Sequence, residues 1–272
     1  RLRVLLWCKA RGVPVFLWTD GNIASDHARG LKLLAKHAYL QPVLRAFDVL
    51  MPSGTLGARL LRRYGGSPAK MIFWPLEPDY AAIRAVTAAD AAAMRARFGL
   101  REDRRRVLCC SRLVAHKKVD HAVRALAAIA GERPEWDLLV VGDGPERAAL
   151  EALARDVLPG RATFTGFVGD PAHIAALYAC ADVLCLPSVH EPWALVVNEA
   201  ACAGLALVCS DVVGAAAELV REGVNGRVFR AGDQAALTKA LRDVTDPARI
   251  DALKTASPRV LDDWVRRGGD PV

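Results

Sequence analysis

From residue 105 onward the chain repeats one pattern, in which a short run of β-forming apolar residues is followed by a stretch with apolar residues at helical spacing. "RVLCCS" (106–111) leads into "DHAVRALAAIA", "WDLLVVG" (136–142) into "PERAALEALARD", and "ATFTGFV" (162–168) into "PAHIAALYACA". "DVLCLPS" (182–188) then precedes the helix containing "ALVVNEAACAG", and "LALVCSD" (205–211) precedes "AAELVREG". Strands apolar on both faces and alternating with amphipathic helices are those of a parallel sheet covered on both sides. A related rhythm occupies the first 80 residues. "RLRVLLWCKARG" reads as a helix, "VPVFLWTD" as a strand, 27–46 as a long helix, "FDVLMPS" (47–53) as a strand, "TLGARLLRRYG" as a helix and "AKMIFWP" (69–75) as a further strand. "PLEPDYAAI" (75–83), broken by two prolines, reads as a linker.

The predicted fold class is therefore α/β, with two Rossmann-like, doubly wound parallel-sheet domains, the first incomplete. Residues 1–80 form the partial N-terminal domain, 81–104 the linker and start of the second, 105–246 the second domain, and 247–272 a helical tail. The chain starts on arginine in mid-pattern, so a fragment lacking the opening strands is expected.

With 272 residues, 53% of them hydrophobic, the chain can fill such cores. No uncharged apolar run of membrane-spanning length appears, and the charged start does not suit a signal peptide, which predicts a soluble protein. The seven cysteines are odd in number and include no CxxC pair; they read as buried thiols in a reducing cytosol. Residues 1–80 carry 12 Lys and Arg against 5 Asp and Glu, which accounts for the whole formal charge of +7. That excess suits an anionic membrane surface or an acidic acceptor, and a partnerless solvated surface accounts for it equally well. It does not suggest nucleic acid, because Trp7, Phe16 and Trp18 sit in apolar patterns and do not alternate with the basic residues. The expected location is the cytoplasm, at the inner face of the membrane if an anionic surface is the partner.

Ligands of open parallel sheets bind beyond the carboxyl ends of the strands, so the candidate residues are those that follow the strands. In "SRLVAHKKVD", Arg112, Lys117 and Lys118 can grip a diphosphate with a planar fork and a point charge, or can simply be solvated loop cations. In "VVGDGPE", Gly142 and Gly144 permit a close backbone approach, although the third glycine of a dinucleotide fingerprint is missing and NAD is poorly supported. In "CLPSVHEPWALVVNEA", Pro192 suits a first helical position, which sets Glu191 at the mouth of a helix and Glu199 on its second turn. The amides of Trp193, Ala194 and Leu195 would then be free first-turn donors, able to attract phosphate, with a carboxylate on either side for sugar hydroxyls. Taken singly, Glu191 also reads as a complement to the helix dipole and Glu199 as a solvated helix face.

Other classes fit less well. The chain has no GxxxxGK[ST] loop and no GxSxG elbow. His116, His121, His173 and His190 have no HExxH or Cys-His spacing, so no metal site is expected.

Read together, "SRLVAHKK", "GDGPERAALEAL", "FTGFV", "YACADVLCLPSVHEPWALVVNEAACAGLALVCSD", "VGAAAELV" and "EGVNGRVF" resemble the C-terminal domain of a large family of retaining glycosyltransferases. This group, often called family 4, includes glycogen and sucrose synthases and many bacterial lipopolysaccharide and mannosyl transferases. Its hallmark of two glutamates separated by seven residues is matched by Glu191 and Glu199, and residues 1–80 resemble the latter part of its N-terminal domain. The resemblance implies the two-lobed GT-B architecture and transfer of a glycosyl group from a nucleotide sugar, with retention of configuration and no obligatory metal or other cofactor. It implies that Arg112 and Lys117 bind the donor phosphates, that Glu191 stands beside the transferred sugar and that Glu199 holds the ribose. Trp193, Ala194 and Leu195 would touch the donor through their amides, and Phe167 and Val168 would meet the nucleobase through their backbone. Lys118 and Ala194 stand where the family usually has glycine. The acceptor, a glycan or a lipid-linked or cell-envelope precursor, is not specified. An epimerase or phosphorylase of the same two-lobed shape lacks its own signature here, and a non-catalytic nucleotide-sugar-binding module is the alternative from a different class.

Overall fold

The computed structural model describes residues 2–267; the remainder of the predicted tail, 268–272, lies outside the described residues. The chain opens with α1 (Leu2–Ala10), β1 (Phe16–Thr19), α2 (Gly30–Ala46), β2 (Val49–Pro52) and α3 (Thr55–Arg63). β1 and β2 pair in parallel, Phe16 opposite Val49, over a small core of Leu44, Leu50, Leu61 and Tyr64. Two departures from expectation arise here. β1 starts at Phe16, because the Val15 N–H is drawn to the Asp48 carboxylate at 2.8 Å and Pro14 has no N–H to give. Residues 69–75 form no strand. Ile72 and Trp74 donate to the carbonyls of Leu50 and Pro52 at 3.0 Å, but Pro52 has no N–H to return to Ile72, so pairing stops at a single bridge, Leu50 with Met71.

The expected linker contains a helical turn, α4 (Tyr80–Arg84), capped by the Asp79 carboxylate on the Ala82 N–H at 3.1 Å. α5 (Ala88–Phe98) follows from a Thr87–Asp90 capping box and ends on Gly99 in the left-handed region.

The second sheet comprises β3 (Arg105–Cys110), β4 (Trp136–Val141), β5 (Ala162–Gly166), β6 (Val183–Leu186), β7 (Ala206–Ser210) and β8 (Gly226–Phe229). These six strands are all parallel, in the order β5-β4-β3-β6-β7-β8. Their connections carry α6 (Val119–Ala128), α7 (Arg147–Val157), α8 (Pro171–Tyr178), α9 (Leu195–Cys202), α10 (Gly214–Leu219) and α11 (Gln234–Val244), and the described chain ends with α12 (Ile250–Arg266). Period-two alternation divides the strand side chains between two cores. Leu108, Leu139, Leu184 and Leu207 face α5, α8, α9 and α12, while Val107, Leu138, Val183 and Val208 face α6, α7 and α11. The order reverses between β3 and β6, since β4 and β5 are added on one side and β7 and β8 on the other. The loops after β3 and β6 therefore diverge and leave a crevice at their carboxyl ends.

Candidate active site

The sequence-predicted residues follow the strands at this end of the sheet. Arg112 and Lys117 follow β3, Gly142 follows β4, Phe167 and Val168 follow β5, and Glu191 follows β6. Lys117 lies in a short 3₁₀ turn, Ala115–Lys117, and its Nζ is paired with Glu191 Oε2 across the crevice. Glu191 is buried, and the same oxygen accepts from Ser188 Oγ at 3.2 Å; Ser188 is fixed in turn by Ser210 Oγ, which donates to its carbonyl at 2.6 Å. The Val189 N–H donates to the His116 carbonyl at 2.8 Å, so the two loops are tied by backbone as well as by charge. The Arg112 side chain is exposed and has no ion-pair partner among the described residues. Lys118 sits at φ 53° and starts α6.

The helix after Glu191 starts later than its sequence suggests. Pro192 is not its first residue: α9 begins at Leu195, and Ala194, at φ 79°, turns the chain into it. The cause lies outside the segment. Glu191 bridges Val213, the Ala215 N–H donates to the Trp193 carbonyl at 2.9 Å, and a Cβ on Gly214 would stand 2.1 Å from the Pro192 carbonyl oxygen. Residues 191–193 are thus held against the start of α10. The Trp193 amide lies ahead of the helix, and the open donors at its start are those of the N-cap Ala194 and of Leu195 and Val196. The Trp193 indole is core, donating to the Leu76 carbonyl at 3.0 Å and lying 6.1 Å from the Trp264 ring. Glu199 does fall on the second turn, half-buried, and accepts from the Tyr178 hydroxyl at 2.6 Å.

The glycines after β4 have an internal explanation. A Cβ on Gly142 would meet the Ser111 carbonyl oxygen at 2.0 Å, and one on Gly144 that of Leu113 at 2.3 Å. Backbone packing of the β3 and β4 loops therefore requires glycine at both positions, without a ligand. Phe167, after the edge strand β5, is 80% exposed, whereas Val168 is buried in the core.

Three contributors escape sequence reasoning. Asn22, 2% exposed in the turn after β1, directs Nδ2 to the carbonyls of Glu191 (2.9 Å), Pro192 (3.0 Å) and Val212 (3.0 Å). Glu218, also buried, accepts from the Thr55 N–H at 2.7 Å, and Gly54 packs so closely on Trp193 and Glu218 that a Cβ there would lie 2.8 Å from the indole. Tyr178 is the third. The rule that ligands sit beyond strand carboxyl ends applies to β1 as well, and would have marked Asn22. No three His, Cys, Asp or Glu side chains converge as a cation site among the described residues.

Residues 104–246 match the model of the family described as Glycosyl transferases group 1. The chain belongs to this family. Among curated relatives it is similar to the GDP-mannose-dependent alpha-(1-6)-phosphatidylinositol monomannoside mannosyltransferase of Mycolicibacterium smegmatis, with 36% identity over 184 residues, 64% of this chain and 47% of that protein. It is also similar to the 2-deoxystreptamine glucosyltransferase of Streptomyces kanamyceticus, with 35% identity over 160 residues, 58% of this chain and 41% of that protein. The chain thus spans less than half the length of these relatives. Among solved structures, Anabaena HepE in complex with UDP superposes with a TM-score of 0.80 over 95% of this chain and 70% of that one, at 19% identity. WaaG, a glycosyltransferase involved in lipopolysaccharide biosynthesis, superposes with a TM-score of 0.68 over 95% and 76%, at 22% identity. The fold of this group 1 chain is GT-B, an α/β architecture of parallel sheets.

Proposed function

We propose that the protein is a retaining, family 4 glycosyltransferase that moves a glycosyl group from a nucleotide sugar to a glycan or lipid-linked acceptor. The observation that carries this reading is the pairing, at the reversal of strand order, of the buried Glu191 carboxylate with the Lys117 ammonium, in the loop that leads into the first turn of α9, with Arg112 exposed on the same loop as Lys117. In this reading Arg112 and Lys117, with the Leu195 and Val196 amides, take up the charge that develops on the departing nucleoside diphosphate. Glu191 addresses the transferred sugar and Glu199 the ribose hydroxyls. The nucleobase stacks near the exposed Phe167 ring and meets the 167–168 backbone. The Lys117–Glu191 pair then opens as the donor enters, the phosphate replacing the carboxylate as partner of the ammonium.

The test is a screen of UDP-, GDP- and ADP-sugars for transfer, with and without EDTA, repeated on variants. Glu191→Gln should lower turnover about 100-fold or more, the scale of losing one group that acts on developing charge. Unchanged turnover in that variant would remove Glu191 from the chemistry, and donor binding without transfer in the unmodified protein would favour the binding-module reading. Lys117→Ala should weaken nucleoside diphosphate binding more than Lys118→Ala does, and equal losses in calorimetry would sink the assignment. Turnover should persist in EDTA; strict loss on chelation would contradict charge stabilisation by these side chains and amides alone.

A further inference from the structure

Tyr178 ends α8 and is fully buried, its ring enclosed in the core that α8 and α9 share with the sheet. Its hydroxyl reaches out of that core and donates to Glu199 Oε2 at 2.6 Å. Burial pushes the phenol well above its ordinary range, and the neighbouring Cys110 and Glu199 push in the same direction. Cys110, at the carboxyl end of β3 and beside this hydroxyl, is itself pushed up to about 12 by burial. Both groups therefore keep their protons, and the phenol can only act as donor to the carboxylate. Glu199 Oε1 takes no hydrogen bond from the described residues.

A glutamate on a helix surface samples many rotamers and loses that freedom when it binds a ligand. A buried phenol is rigid, and a hydrogen bond from it fixes one carboxylate oxygen before any ligand arrives. We infer that Tyr178 is a positioning residue for Glu199: it anchors Oε2 so that Oε1 is presented to the ribose hydroxyls of the donor. The inference rests on the reading of Glu199 as the ribose ligand, and it makes α8 part of the nucleoside specificity of the site through Tyr178.

Calorimetric titration with UDP, GDP and ADP, each beside its 2′-deoxy and 3′-deoxy analogue, tests it on the unmodified protein, Tyr178→Phe, Glu199→Gln and the double variant. Tyr178→Phe keeps the buried ring and removes only the hydroxyl. It should reduce the preference for the ribonucleotide about 5- to 10-fold, leave affinity for the deoxy analogues unchanged, and add nothing in the Glu199→Gln background. In transfer assays KM for the donor should rise while kcat stays within about twofold. Equal weakening of ribo and deoxy ligands, or losses that add in the double variant, would overturn the inference. A preference lost in Glu199→Gln but kept in Tyr178→Phe would overturn it alone, whereas a preference kept in Glu199→Gln would overturn the ribose reading of Glu199 and this inference together.

Discussion

Lys118 and Ala194 are the non-glycine residues with positive φ among those described, at 53° and 79°. Each stands where the resembled family usually has glycine, and the backbone shows why: both turn the chain into the helix that borders the crevice, α6 in one case and α9 in the other. A Cβ in the left-handed region is crowded by the neighbouring carbonyl. Lys118→Gly and Ala194→Gly should therefore each stabilise the protein by ~0.5–1 kcal/mol, the relief of strain being partly offset by the freer unfolded chain. Denaturant titration measures this, and a loss of stability in either variant would contradict it. The departures were legible in the sequence as odd residues. Their cost was not, because it depends on a torsion angle that composition does not reveal.

At the scale of elements, the strands of the larger sheet are legible because each is apolar on both faces and bounded by turn residues. The segment at 69–75 is equally apolar, yet it fails as a strand through a proline in its neighbour, a fact about pairing and not about the segment. The start of α9 is misjudged for a similar reason, since Pro192 is a good local helix starter but the segment is claimed by α10. That claim is reinforced by Asn22, whose amide serves three carbonyls of the loops before α9 and α10. Asn22→Ala should cost about 1–3 kcal/mol, because it leaves buried carbonyls without a donor. Equilibrium unfolding should register that loss, and a change below ~0.5 kcal/mol would mean that the loop finds other partners.

For the molecule as a whole, the GT-B arrangement is legible through the family resemblance, and the meeting of Lys117 with Glu191 through the carboxyl-end rule, since each follows a strand on one side of the order reversal. Glu218 and Tyr178 are not, since their roles exist only in pairings that the fold creates. The concentration of positive charge in residues 1–80 leads to a test at this scale. No helix among the described residues is long and apolar enough to cross a membrane. If the acceptor is presented on an anionic bilayer, the protein should co-sediment with phosphatidylserine vesicles, release as salt rises, and ignore neutral vesicles. Retention in high salt, or equal binding to neutral vesicles, would refute a charge-driven contact. The Asn22 contact also constrains how the two sheets can swing. A rotation that preserves its three hydrogen bonds must have its axis close to that amide, and points near an axis travel the shortest arcs. In such a rotation the Glu191 main chain, whose carbonyl the amide holds, would be among the points displaced least.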